Sequence, residues 1–362
     1  MEDRYESDVC LIQIATENTL VLIDPLLGFD ISGVWSLVFD DHVETLVHAG
    51  QEDLALCVQH TGEVPRRVFD LQIAAGLITR DYPISLQKLV QTFLHIRLHK
   101  SKTLTDWRRR PLTQEQQRYA AEDVAHLIPI HRIIMKYLKQ TGRVGWAHAE
   151  FAKFEEMTLY HRAEEDKLQR VKGAGSLKGR ELAVLRALLA WRETAAESLN
   201  RPARTVLRDH LLVEIARTGM SSAADLSDLR GLNLSTKNMH AASEVIAAAL
   251  KLPEDQWPKT IHREVETPQE QVLIALVTAL LRAYCLENDI AYGLIGTKKS
   301  IRELIRFHCK TRSDGGELTR GWRAEAVGQL LRDVLTGRRS LRVSIRKGQP
   351  HLHSESIDRS CT

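Results

Sequence analysis

The chain of 362 residues is poor in cysteine, with five scattered at Cys10, Cys57, Cys285, Cys309 and Cys361 and no Cys-x-x-Cys pair. An odd, unclustered set argues against a disulfide framework and against a zinc site, so reduced thiols are expected. Cys10 and Cys57 lie in apolar runs and read as core. Nothing approaches 18 consecutive apolar residues, which argues against a membrane-spanning helix. The opening Met1-Glu2-Asp3-Arg4-Tyr5-Glu6 is charged and lacks the apolar stretch of a secretory signal, so a cytoplasmic location is expected. A Walker A phosphate loop is missing too. The nearest string, Gly296-Thr297-Lys298-Lys299-Ser300, lacks its spacing, which argues against a helicase. No internal repeat stands out.

What is present is the balance of a soluble globular protein, 43% hydrophobic and 27% charged. The length implies two or three domains. A net charge of +3 says little by itself, but its distribution says more. Between Lys298 and Lys347 fourteen Lys and Arg stand against five acids. An excess of that size reads as a phosphate-facing surface or, more plainly, as a solvated helix face.

The first part of the chain alternates strand and helix signals. Val9 to Ile14 and Leu20 to Ile23 are short apolar runs around a polar turn at Asn18, a hairpin pattern. Thr45-Leu46-Val47 is a third strand, and a helix is expected from about Asp53 to His60. Val68-Phe69 ends a further strand, and Asp70 is placed to cap the helix Leu71 to Ile78. Ser85 to Phe93 and Thr113 to Leu138 have apolar residues at helical spacing. This α/β domain, a mixed sheet with helices, is expected to occupy residues 1–146. Beyond Trp146 strand signals nearly vanish. The Gly- and Lys-rich stretch 172–179 precedes a helical domain at 175–250, with helices over Leu182 to Leu199, Asp209 to Arg217, Ser222 to Leu229 and Ser235 to Leu250. A proline-containing linker leads to a last helical module at 269–337. The segment 349–362 is polar and expected to be disordered.

Three features could carry chemistry. Tyr119 and Asp123, four apart on one helix, share a face beside the small Ala120 and Ala121, where a carboxylate and a phenol can hold a metal and orient a water. Taken alone the pair reads more plainly as a surface acid and a half-buried tyrosine. Asp53 lies where a strand hands over to a helix, well placed to enter a cleft or simply to cap the helix, and Asp70 carries the same two readings with the cap favoured. The loop from Lys100 to Pro111 brings cations, the hydroxyls of Ser101, Thr103 and Thr105, and Trp107. Such a loop suits phosphate contact and base stacking, or is a solvated connector.

The blocks Cys10-Leu11-Ile12-Gln13-Ile14-Ala15, His48-Ala49-Gly50-Gln51-Glu52-Asp53, Phe69-Asp70-Leu71-Gln72-Ile73-Ala74-Ala75, Lys100-Ser101 with Thr105-Asp106-Trp107, Arg110-Pro111-Leu112 and Tyr119-Ala120-Ala121-Glu122-Asp123 occur in the order and spacing of the ribonuclease D family. The resemblance covers residues 5–146 densely. Leu188 to Glu193, Arg201-Pro202, Arg208, Asp209 and Arg230-Gly231 resemble an HRDC domain, which that family carries, and 269–337 lie where it has a second helical, HRDC-like module.

The resemblance implies a ribonuclease H-like α/β exonuclease domain followed by all-α HRDC-type domains. It implies a DEDDy-type 3′→5′ exoribonuclease that hydrolyses RNA with two divalent ions, Mg²⁺ or Mn²⁺, held by carboxylates. Asp53 and Asp123 take the positions of the third and fourth acids and metal ligands, Tyr119 that of the residue positioning the attacking water. Glu122 turns away from that face. Lys100, Ser101, Trp107, His48, Arg192 and Arg208 are the expected nucleic-acid contacts. The implied substrate is RNA with a free 3′ end, chiefly tRNA precursors, with no membrane and no obligate protein partner. Alignment on Cys10 to Ala15 places the family's Asp-x-Glu motif a few residues before Met1, and Glu2 and Asp3 do not take its role. The chain as written is therefore expected to bind metal weakly and cleave slowly or not at all, and to lack the first strand. A start codon assigned too far downstream is the favoured explanation, and a pseudo-nuclease that only binds RNA the alternative. A DNA 3′→5′ exonuclease would share the same carboxylates.

Overall fold

Two short apolar runs around a polar turn make the first hairpin. In the computed structural model, which describes residues 9–98, 106–160, 164–260, 265–346 and 349–357, β1 (Ile12–Ala15) pairs antiparallel with β2 (Leu20–Ile23), Ile12 opposite Ile23. The Thr16 hydroxyl accepts the Thr19 N–H and closes the turn. Helix α1 (Ser32–Val38) follows. A parallel ladder joins β3 (Thr45–Val47) to β4 (Val68–Asp70), Val47 opposite Asp70. Between these strands runs α2 (Gln51–Thr61), stopped at Gly62 in a left-handed conformation that glycine adopts without strain. Thus the described strands of this N-terminal part form two small ladders, and hairpin, third strand and fourth strand stand where the sequence places them.

The helices of this region follow their caps. α3 (Leu71–Gly76) is capped by Asp70 and α4 (Leu86–Leu94) by Ser85. The single helix expected from Thr113 to Leu138 is two: α5 (Gln114–Ala125), opened by a Thr113/Gln116 capping box, and α6 (Leu127–Gln140). The break at His126 has a local cause. Pro129 has no N–H to give the carbonyl one turn back, so the ladder restarts with Pro129 in the first turn of α6. Ile130, Ile134 and Leu138 on α6 are fully buried, as is Leu89 on α4. α7 (Val144–Phe151) carries this unit past residue 146, the boundary read from sequence.

The chain forms two compact units, one built on 158–265 and the other on 9–157 together with 266–362. The first unit is all helical. The Arg180–Leu199 helix buries Leu182, Leu185 and Leu188 in a core shared with the Asp209–Thr218 and Thr236–Leu250 helices. Ser222 and Ser235, where the sequence starts two helices, are the caps of those helices.

In the second unit, the C-terminal helices are continuous with the α/β part. The Arg143 guanidinium donates to the carbonyls of Leu77 and Asn288, and the Ala291 N–H donates to the Gly76 carbonyl. Gly76 has no room for a side chain: a Cβ there would lie 2.7 Å from Leu294 Cδ1. Glu150 on α7, 7% exposed, accepts from Trp322 Nε1 and Arg323 Nη1, both at 2.7 Å, and from Lys153 at 2.8 Å. Burial pushes its carboxyl up, but the bonds from Arg323, Lys153 and Trp322 prevail and hold it below the usual value. Trp146 stacks on Trp322 with ring centroids 5.1 Å apart.

Two expectations for this end of the chain change. The helix Pro268–Asn288 is long and apolar enough to cross a membrane by length and composition, although no unbroken apolar run reveals it. It buries Ile274, Val277, Leu280 and Leu281, leaves Val272 and Leu286 exposed, and pairs Glu270 with Arg306. The tail is not all disordered. β5 (Arg339–Arg346) pairs antiparallel with β6 (Gln349–Ser356), Val343 opposite Leu352. Alternation of Leu341, Val343 and Ile345 with Ser340, Arg342 and Ser344 is the strand signal that the polar composition of 349–362 hides.

Candidate active site

The site is organised from the end of β4. Asp70, 2% exposed, accepts from the N–H groups of Gln72 and Ile73 at 2.8 and 3.2 Å, capping α3. It also accepts from Ala49 and Gly50 at 3.3 and 3.1 Å, at the entrance of α2. Four backbone donors, three on Oδ1 and one on Oδ2, tie this buried carboxylate to the turn, so Asp70 is an anchor. It holds Ala49 at φ 54°, a conformation that a residue with a Cβ seldom adopts. The next residue must be glycine, because a Cβ on Gly50 would stand 2.5 Å from Val47 Cβ. This turn delivers Asp53 into the first turn of α2.

Asp53 is not the cap. The N-cap is Gly50, without a side-chain bond. Asp53 is exposed, yet the protein around its carboxyl, and then the charge of Glu52, push its pKa above the usual value. Asp123 on α5 is pushed up to about 6 by burial, by Glu122 and by Asp53. Asp123 therefore feels the charge of Asp53, seventy positions earlier. Neither has an ion pair among the described residues. They are hard oxygen donors short of positive charge, which fits a divalent cation such as Mg²⁺. The described residues contain no group of three or more His, Cys, Asp or Glu side chains arranged to hold a metal.

Tyr119 lies one turn before Asp123 on the same face of α5, with Ala120 fully buried beneath. Its ring packs against Trp107 at 6.0 Å, tilted by 37°. Trp107 is held in turn by a clamp that sequence reasoning did not identify. Arg110 donates from Nη1 to the Trp107 carbonyl at 2.7 Å, from Nη2 to the Cys10 carbonyl at 2.7 Å, and makes a two-pronged ion pair with Asp24. Its guanidinium holds the Asp24 carboxyl below its usual value. The loop that precedes α5 is thereby fastened to β1 and to the end of β2. Asp24-Pro25 reads in sequence only as a strand terminator, because its partner is 86 positions away.

Other expected contacts fall differently. His48 turns its ring inward, Nε2 lying 2.9 Å from the Ile84 carbonyl, and burial lowers its pKa although that bond opposes the shift. Arg192 is a correction: at 7% exposure it donates to the Leu207 carbonyl and pairs with Asp209 at 2.7 Å, so it holds its helical unit together and presents no face to a phosphate. Arg208 is exposed, before the Asp209–Thr218 helix. Lys100 and Ser101 lie outside the described residues. Cys57 is buried and its thiol is pushed up to about 11, consistent with an inert core cysteine.

Comparison with known proteins bears on this arrangement. A family model described as 3′-5′ exonuclease matches residues 2–139, and one described as HRDC domain matches residues 181–246. Ribonuclease D of Sphingobium indicum is 32% identical over 343 residues, covering 93% of this chain and 87% of the relative. Ribonuclease D of Escherichia coli K12 is 30% identical over 338 residues, covering 91% and 89%. The crystal structure of Escherichia coli RNase D, an exoribonuclease involved in structured RNA processing, superposes with a TM-score of 0.78 at 29% identity, covering 92% of this chain and 90% of that one.

Proposed function

The chain belongs to the ribonuclease D family, and on that premise we propose that it shortens RNA from the 3′ end by metal-dependent hydrolysis at Asp53, Asp123 and Tyr119. What supports the assignment of residues is that Asp53, on α2, lies near enough to raise the pKa of Asp123 on α5, with Tyr119 on the same face of α5 as Asp123. A 3′→5′ exoribonuclease is a phosphodiester hydrolase, and its central difficulty is negative charge on nucleophile, phosphate and leaving group together.

Each residue then has a physical task. Asp53 and Asp123 would hold divalent metal, Mg²⁺ or Mn²⁺, as two of the four carboxylates of the family pattern, the Asp-x-Glu pair not being among the residues of this sequence. Bound metal supplies an acidified water and charge neutralisation at the leaving 3′ oxygen. The Tyr119 hydroxyl orients the attacking water, and Trp107 limits where the Tyr119 ring can go. The Arg110–Asp24 clamp keeps Trp107 against that ring. Arg208 and the Lys100-to-Pro111 loop are the proposed backbone contacts. The proposed substrates are structured RNA precursors with a short single-stranded 3′ end, tRNA first among them, because a narrow carboxylate site accepts one unpaired strand.

The test uses 5′-labelled single-stranded RNA with Mg²⁺ or Mn²⁺, beside Asp123→Asn and a DNA strand of the same sequence. The expected result is a ladder shortening from the 3′ end of RNA, slow at most in the chain as written, faster once the upstream Asp-x-Glu motif is restored, and lost in Asp123→Asn. A ladder that persists in Asp123→Asn would overturn the assignment. Internal cuts, or equal shortening of DNA, would overturn the proposed direction or the RNA preference.

A further inference from the structure

The basic segment from Lys298 to Lys347 is far less free than its composition suggests. Lys298 and Arg302 pair with Glu266, Arg306 with Glu270, and Arg312 with Glu303. Arg320 pairs with Asp314, Arg323 with Glu150, Arg338 with Asp333 and Arg342 with Glu355. Several of those acids lie outside the segment, so counting charge within it overstates the field. Lys299, Lys310 and Arg332 are exposed and make no ion pair among the described residues.

Lys310 lies at a recess. At the end of the Lys298–His308 helix an open recess of about 540 Å³ is lined by Phe307, His308, Lys310, Thr311, Arg312 and Ser313. Arg332, on the Gln329–Leu335 helix, does not line it, but its charge adds to burial in lowering the pKa of His308. The Phe307 ring is 39% exposed, with its neighbour His308 edge-on at 5.7 Å. A helix C-terminus ordinarily repels anions through its open carbonyls. Here that effect is reduced: the Thr311 N–H and hydroxyl both donate to the Arg306 carbonyl at 3.0 and 3.1 Å, and the Lys310 N–H donates to that of Phe307 at 3.1 Å.

We propose that this recess is a second RNA subsite, remote from the carboxylates in sequence, that takes one or two phosphodiesters on Lys310 and Arg332 with a base stacked on Phe307. The inference rests on the reading of the chain as an RNA-acting nuclease. Cations beside an accessible aromatic face are the pairing that single-stranded nucleic acid requires, phosphate on one and base on the other. An acidic peptide would use the cations and gain little from the ring. The subsite would hold RNA upstream while its 3′ end is shortened.

The experiment uses the full chain. Binding of a 5′-fluorescein single-stranded RNA of about 20 nucleotides, long enough to span several phosphate contacts, is measured in EDTA over a salt series. Hydrolysis of a trinucleotide is measured with Mg²⁺. The variants are Lys310→Asn with Arg332→Gln, and separately Phe307→Leu. Asparagine suits position 310 because φ there is 58°. The double variant is expected to weaken long-RNA binding roughly tenfold and to reduce the salt slope by about 1.4, the value for two single-strand phosphate contacts. Phe307→Leu is expected to weaken it about fivefold or more with the slope unchanged. Trinucleotide hydrolysis should not change. Unchanged affinity and slope in variants that melt like the parent chain overturns the proposal, as does equal loss on the trinucleotide. Competition by polyglutamate as effective as that by RNA, with no effect of Phe307→Leu, also overturns it in favour of a peptide surface. A parent chain that binds as described but leaves the 3′ end intact sinks the catalytic reading alone.

Discussion

The two helical regions beyond α7 look alike in composition and differ in how they are held. Residues 158–265 have a core of their own, with Leu182, Leu185, Leu188, Leu212 and Ile246 packed together, and their buried Arg192 finds its acid, Asp209, inside the same unit. Residues 266–337 lean on the α/β part. Their buried Arg323 finds its acid, Glu150, on α7, 173 positions earlier. The difference teaches that a helical module read from sequence can be a separable attachment or a buttress, and that the location of the partner of its buried charge tells which.

The largest expected effect tests that contrast directly. A chain ending at Val265 should lose cooperative unfolding of the 9–157 part, whereas 158–265 produced alone should remain helical and melt in one step. Circular dichroism on both fragments decides, and an unchanged melt of the shortened chain would erase the distinction. Next come the two buried pairs. Glu150→Ala strands the Arg323 guanidinium and should cost about 3–5 kcal/mol, carried by the α/β unit. Asp209→Ala strands Arg192 and should cost about 2–4 kcal/mol, carried by the 158–265 unit, with RNA hydrolysis retained at low temperature. Hydrogen exchange resolved by segment would show whether each loss stays where its pair lies.

A smaller effect concerns the site. The Asp123 carboxyl is raised, so the metal-free folded protein binds a proton there more tightly than the unfolded chain does. Stability must then rise as pH falls through about 6 toward the ordinary aspartate value, and the penalty is fully present above pH 7. Asp123→Asn should remove that penalty, stabilising the metal-free protein by about 1–3 kcal/mol at pH 8 and little at pH 4. Urea midpoints at the two pH values check the sign. The smallest effect is expected at Arg80–Asp289, an ion pair at 3.2 Å whose side chains are 59% and 65% exposed. Although it also links the α/β part to the C-terminal helices, Arg80→Ala should change stability by no more than about 0.5 kcal/mol. A larger loss would mean that exposed pairs, not the buried Glu150 cluster, join the two.

How much of this was legible in the sequence depends on how far apart the interacting groups lie along the chain. Asp70, Ser85, Ser222 and Ser235 as caps could be read, because a cap bonds two or three residues on. The hairpin of β1 and β2 and the shared face of Tyr119 and Asp123 could be read for the same reason, since both follow from local periodicity. Even the break at His126 had a visible cause in Pro129. The cationic segment could not be weighed: Glu150, Glu266 and Glu270, which offset it, stand outside the window in which charge is counted. Arg192 carried no mark of its burial, because only packing against Leu207 and Asp209 turns it inward.

The amino-acid sequence alone determined the elements, their caps and the family pattern of acids, because these depend on backbone propensity and on neighbours within about one helical turn. Only the tertiary structure brought Asp53 to Asp123, fastened Trp107 through Arg110 to Asp24, and made a buttress of the last helices. Those outcomes depend on contacts tens to hundreds of positions apart, where the deciding quantity is which charge and which apolar face remain after all others have been matched.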